Sequence, residues 1–150
     1  MKVLMVCLGN ICRSPLAHGI LAYKAPHNWR IDSAGTSGWH QGERPDTRSI
    51  ITAKGRGIAI DEQRSRPFEI EDFDRFDVIF AMDSSNFSNL TRIAPNAESA
   101  AKVKLIMNEI YPNENRQVPD PYTGGQNGFE KVFDMLDLAV DEFLKNNTNG

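Results

Sequence analysis

Residues Val3-Leu4-Met5-Val6 are apolar without interruption and lead directly into Cys7-Leu8-Gly9-Asn10-Ile11-Cys12-Arg13-Ser14-Pro15. An unbroken, branched-rich run suits a strand buried on both faces of a parallel sheet, and parallel strands require crossover connections, usually helical. Cys7 is therefore expected at the carboxyl end of a buried strand. Gly9 and Asn10 accept positive φ at little cost, which predicts a backbone that curls after Cys7 and turns its N–H groups inward as an anion nest. Ser14-Pro15 reads as a helix start, with Ser14 as N-cap and Pro15 in the first helical position. Leu16, Ala17, Ile20 and Leu21 repeat behind it at helical spacing. The positive end of that helix would face the space the loop encloses. Leu8, Gly9, Asn10, Ile11, Cys12, Arg13 and Ser14 are thus the candidate phosphate-binding residues.

Two side chains turn such a cradle into a reaction site. Arg13 offers a planar fork of donors that matches two oxygens of a phosphoryl group. Cys7 lies beneath it among loop amides, a helix end and a guanidinium, surroundings that favour thiolate over thiol and make it the candidate nucleophile. A lone cysteine at a strand end is more often a buried core residue than a catalyst. What sets Cys7 apart is the whole series of strand, turn residues, arginine and helix start in its predicted context.

The alternation of strand and helix continues along the chain. Further strands are predicted over 29–34, 77–82 and 102–106. One helix is expected from Pro45 or Asp46 through Ile50, Ile51 and Ala53, closed by Gly55 and Gly57, and another from Asp83 or Ser84 through Leu90. Asn127 with Glu130 reads as a capping box that opens a last helix, whose Phe129, Phe133, Leu136, Val140 and Phe143 make one apolar stripe. Residues 35–42, 64–71 and 113–128 read as loops, and Asn146 to Gly150 as a frayed tail. These elements predict a single α/β domain over residues 1–150, a four-stranded parallel sheet with helices on both faces in three layers. Its site is expected beyond the carboxyl ends of the strands, where the strand order reverses.

A chain of 150 residues with 40% hydrophobic content supports one such core. The formal net charge of −3 argues against a nucleic-acid partner. The first apolar run is too short for a signal peptide and no later one approaches membrane-spanning length, so no membrane partner and a cytoplasmic location are expected. Cys7 and Cys12 are the only cysteines, which excludes a disulfide scaffold, and His18, His27 and His40 lack metal-ligand spacing. Neither a metal nor another cofactor is expected.

Cys7 to Pro15 resembles the signature of the low-molecular-weight protein tyrosine phosphatases, and Asp120-Pro121-Tyr122 resembles their second motif. The similarity extends to Asp32-Ser33-Ala34-Gly35-Thr36-Ser37-Gly38 and Phe76-Asp77-Val78-Ile79-Phe80-Ala81-Met82-Asp83, covering nearly the whole chain. The resemblance implies a hydrolase that removes phosphate from phosphotyrosine in proteins through a phosphocysteine intermediate. Cys7 would be the nucleophile, Arg13 the phosphate clamp and Asp120 the general acid and base. Spacing alone leaves Asp83, Asp46 and Asp32 open for the last role; the Asp-Pro-Tyr motif favours Asp120. The resemblance also implies a hydrogen-bond network of Asn10, Ser14 and Ser33 behind the loop, and Trp39 and Tyr122 as pocket walls. The implied partners are a tyrosine-phosphorylated protein and a cognate tyrosine kinase, with the chain a monomer or weak dimer.

The chain departs from the family pattern in two places. Glu62-Gln63 stands where many relatives place a histidine of the network, and Thr123 follows Tyr122 where many carry a second tyrosine. Cys12 either packs under the loop or serves as a redox partner that traps oxidised Cys7 as a reducible disulfide. Three other activities remain open. A protein-arginine phosphatase of the same fold tends to carry Thr at the position of Ile11. A thiol-dependent arsenate reductase needs further cysteines, and none follows Cys12. A phosphate-binding module without catalysis would lack Cys7 or Asp120.

Overall fold

The structure is a computed structural model and describes residues 1–148. β1 (Lys2–Cys7), β2 (Arg30–Gly35), β3 (Val78–Ala81) and β4 (Val103–Leu105) form one four-stranded parallel sheet in the order β2-β1-β3-β4. The helices are α1 (Arg13–Lys24), α2 (Thr47–Gly55), α3 (Asp72–Arg75), α4 (Ser84–Ile93), α5 (Ala97–Ala100) and α6 (Gln126–Asn147), with a 3-10 turn at Ile106–Glu109.

The apolar run of β1 explains its place at the centre. Val3, Leu4, Met5 and Val6 are fully buried, and successive side chains alternate between the two faces. Val3, Met5 and Cys7 pack with Leu16 and Ile20 of α1 and with Phe133, Leu136 and Val140 of α6. Leu4 and Val6 pack on the opposite face with Phe73, Phe76 and Leu90. Helices α1, α2 and α6 therefore cover one face, and α3 and α4 the other. The chain leaves β1 for β2 on one side and returns to β3 on the other, so the order reverses at β1 and Cys7 lies at the reversal.

The α6 stripe of Phe129, Phe133, Leu136, Val140 and Phe143 is buried throughout. Phe143 meets Phe80 edge-on at 4.9 Å and Trp29 at 6.0 Å.

Several expected boundaries move. Helix α1 starts at Arg13 with Cys12 as N-cap, so Ser14 is not the cap and lies inside the first turn. Its hydroxyl is engaged by Cys7 and Asn10 instead, and Pro15 is tolerated because first-turn amides have no intrahelical acceptor. Helix α6 starts at Gln126 with Gly125 as N-cap and no side-chain cap. The Asn127–Glu130 capping box does not form, because the Glu130 carboxylate reaches across to Thr52 and Arg56. Asn146 and Asn147, expected in a tail, are helical, while Asn149 and Gly150 lie outside the described residues. Helix α4 continues past Leu90 to Ile93. Among the described residues no helix is long and apolar enough to cross a membrane.

Candidate active site

The loop after Cys7 is shaped by what binds its carbonyls. The Cys7 carbonyl accepts from the Thr36 N–H at 2.9 Å, and the Leu8 carbonyl from the Ser37 N–H at 2.9 Å. Ser65 Oγ donates to the Gly9 carbonyl (3.0 Å), the Asp46 N–H to that of Ile11 (2.8 Å) and Ser49 Oγ to that of Cys12 (3.2 Å). The N–H and C=O of a peptide point in opposite directions, so carbonyls fastened outward leave amides turned toward the enclosed space, the nest that anions occupy. Among the described residues no backbone N–H of 8–12 is donated to a protein acceptor.

Asn10 takes the expected positive φ of 56°, whereas Gly9 does not. Gly35 lets β2 approach the loop: a Cβ there would lie 2.8 Å from the Leu8 carbonyl oxygen.

Behind the loop, Asn10 Nδ2 donates to Ser14 Oγ at 2.7 Å, and Ser14 Oγ lies 3.0 Å from Cys7 Sγ. Because the serine oxygen already accepts from Asn10, its own hydrogen is free to be donated to the sulfur. The Arg66 N–H donates to Asn10 Oδ1 at 3.1 Å and fixes the orientation of the amide. Gln63, in the segment where a network histidine was missing, donates to the Pro15 carbonyl at 3.1 Å and leaves its own Oε1 buried without a partner. Ser33, expected in this network, instead pairs with His18 Nδ1 at 3.1 Å. It sits along β2, and the residue that reaches Asn10 comes from the segment after Gln63.

Arg13 is almost fully buried. Its Nη1 donates to Asp83 Oδ2 at 2.7 Å and to the Val118 carbonyl at 2.9 Å, while Nη2 lies 3.9 Å from Asp120 Oδ2. Asp83 also caps α4 through the Asn86 N–H. A cavity of about 190 Å³ opens above the loop, lined by Cys7, Leu8, Gly9, Ile11, Cys12 and Arg13, with Asp120, Trp39, Tyr122 and His40 around it. Trp39 and Tyr122 are exposed aromatics at its mouth. His40 was not singled out from the sequence; its Nδ1 pairs with Glu43 Oε2 at 2.8 Å, and only its place beside Trp39 signalled it.

Cys7 and Cys12 are both free thiols. Burial pushes the Cys12 thiol well up, and the charges of Asp46, Cys7 and Asp120 act in the same sense. The arrangement offers one sulfur on the floor of an amide-lined bowl, one buried guanidinium at its side and one exposed carboxylate at its rim.

The family model for low molecular weight phosphotyrosine protein phosphatases matches residues 2–149. A low molecular weight phosphotyrosine protein phosphatase of Schizosaccharomyces pombe is 43% identical over 150 residues, spanning 96% of this chain and 95% of that protein. A human protein of the same description is 37% identical over 150 residues, spanning 96% and 94%. Among solved structures, a protein tyrosine phosphatase from Entamoeba histolytica superposes with a TM-score of 0.90 at 37% identity, over 98% of this chain and 96% of the other. A Drosophila arginine phosphatase superposes with a TM-score of 0.90 at 32% identity over 100% of both chains.

Proposed function

Because this chain belongs to the low molecular weight phosphotyrosine protein phosphatase family, we propose that it hydrolyses phosphotyrosine in proteins in two steps through a phosphocysteine. In the first step the Cys7 thiolate attacks phosphorus in line with the departing phenol. The inward amides of 8–12, the Arg13 guanidinium and the leading end of α1 stabilise the charge on the equatorial oxygens. Asp120 gives its proton to the phenolic oxygen. In the second step the ionised Asp120 takes a proton from a water that attacks the phosphocysteine, releasing phosphate and restoring the thiolate.

The observation that carries this reading is that Asp120, distant in the chain, lines the same cavity as Cys7 and Arg13. Asp83, a competing carboxylate, is held against Arg13 and the α4 cap. Asp46 is held by Arg48, and Asp32 faces Arg66. Asp120 alone among these four lines the cavity. The phenol ring would lie between Trp39 and Tyr122 over Leu8 and Ile11, flat or apolar surfaces suited to an aromatic face.

For Cys12 we propose a protective role. Peroxide converts the Cys7 thiolate to a sulfenic acid with loss of hydroxide, the Cys12 sulfur displaces hydroxide to form the disulfide, and a small thiol reductant restores both cysteines. Because the Cys12 thiol holds its proton tightly, this closure is slow at neutral pH.

The reading is tested with para-nitrophenyl phosphate and with phosphotyrosyl and phosphoarginyl peptides. Turnover of the aryl phosphate is expected, inhibited by vanadate and abolished by Cys7→Ser, with phosphotyrosine preferred. Preference for phosphoarginine would move the assignment to the activity named for the Drosophila neighbour, and turnover surviving Cys7→Ser would reject the phosphocysteine route.

A further inference from the structure

Asp120 is exposed, and among the described residues its carboxylate accepts only from the Tyr122 N–H of its own turn (3.1 Å) besides its long approach to Arg13. Its place over the cavity is therefore set by the backbone on either side. Upstream, the Val118 N–H donates to the Met82 carbonyl at 2.8 Å and the Val118 carbonyl accepts from Arg13. Downstream, one side chain holds the turn: Arg48 Nη2 donates to the Tyr122 carbonyl at 2.9 Å and Nη1 to the Gly124 carbonyl at 2.8 Å.

Arg48 is itself immobilised. Asp46 receives its Nε (3.0 Å) and Nη2 (2.9 Å) in a two-point pair and its backbone N–H at 2.9 Å. The guanidinium lies 4.4 Å from the Phe129 ring centroid, and Phe129 packs on Ile11 and Cys12. Gln126 Nε2 closes the circuit by donating to the Arg48 carbonyl at 2.8 Å. Asp46 in turn donates its N–H to Ile11 of the phosphate loop. A continuous chain of hydrogen bonds thus runs from Ile11 through Asp46 and Arg48 to the turn that carries Asp120.

We propose that Arg48 is a positioning residue that couples the turn bearing the general acid to the phosphate loop, so that Asp120 and Cys7 hold a fixed mutual geometry. The inference rests on the assignment of Asp120 made above. Its chemistry requires arginine: a planar fork serves one carboxylate and two carbonyls at once, which the single ammonium of lysine does not. A misplacement of about 1 Å in a reacting group costs on the order of a hundredfold.

The test measures kcat/KM for aryl phosphates of graded phenol acidity with wild type, Arg48→Lys, Arg48→Met and Asp120→Asn, alongside inhibition by vanadate. Both Arg48 variants are expected to lose about tenfold or more on the least acidic phenols, where protonation of the leaving oxygen matters most, and progressively less on the most acidic. Vanadate inhibition should stay within about twofold of wild type, because the loop that binds it keeps its braces from Thr36, Ser37, Ser65 and Ser49. Should Arg48→Met not fold, Arg48→Lys, which keeps the stem and the charge, carries the comparison. A uniform loss across all phenols, or none, with Asp120→Asn graded, overturns the role of Arg48 alone. An ungraded Asp120→Asn removes the general-acid assignment and this proposal with it.

Discussion

Cys12 shares a cavity with Cys7 but is set apart from it chemically. Its thiol is pushed up by burial first and by the charges of Asp46, Cys7 and Asp120 after that, so it stays protonated through the neutral range, and thiolate is the reactive form. Iodoacetamide at pH 7 is accordingly expected to label Cys7 and spare Cys12, with vanadate slowing the labelling; peptide mass spectrometry reads both, and equal labelling of the two would contradict the surroundings described. Cys7, Arg13 and Asp120, which line one cavity, could be singled out in the sequence because the chemistry proposed for them is tied to a short local pattern or to a motif. The hold of Asp83 on Arg13 and the roles of Ser65 and Arg48 could not, since these residues act on others 70, 56 and 74–76 positions away, and a hydrogen bond across such a distance leaves no periodicity to read. Ser33 shows the converse. Its motif suggested a place in the network behind the loop, yet the fold gives its hydroxyl to His18.

At the scale of elements, the long apolar stripe of α6 was plain from its spacing, and its burial follows. Phe143 is the informative position because it joins α6 to β3 through Phe80 and to the β2 approach through Trp29. Phe143→Ala is expected to destabilise the fold by about 3–5 kcal/mol, measured by chemical denaturation. Since Phe143 does not line the cavity, kcat/KM of the folded protein should hold. The ends of elements were less legible than their bodies. Ser14-Pro15 has the composition of a cap, and Asn127 with Glu130 that of a capping box, but the decisive competitor in each case is a tertiary partner: Cys7 and Asn10 for Ser14, Thr52 and Arg56 for Glu130. The short α3 and α5 carry too few residues to show a period.

For the molecule as a whole, the parallel sheet and the layers followed from buried branched runs alternating with helical patterns, while the strand order β2-β1-β3-β4 and the acid sensitivity emerge only from the folded packing. Burial lowers the pKa of His18 below the ordinary value of about 6.5, with Asp32 opposing. The unfolded chain then binds the proton more readily, so the stability this histidine contributes is intact above about pH 6.5 and is lost as the pH falls toward the native value. Glu109, whose carboxyl is raised by burial, acts in the opposite sense above about pH 4.5. The difference between wild type and His18→Asn isolates the histidine: unfolding free energies measured from pH 7 to 5 should decline more steeply in wild type. Parallel curves would show that His18 is not the titrating group. The central position of β1 has a further effect. Its backbone is hydrogen-bonded to a strand on each side from Val3 to Val6, so solvent deuterium can enter there only when the entire domain opens. The strand that presents Cys7 is then expected among the last to exchange, with its amides protected to the same free energy as global unfolding.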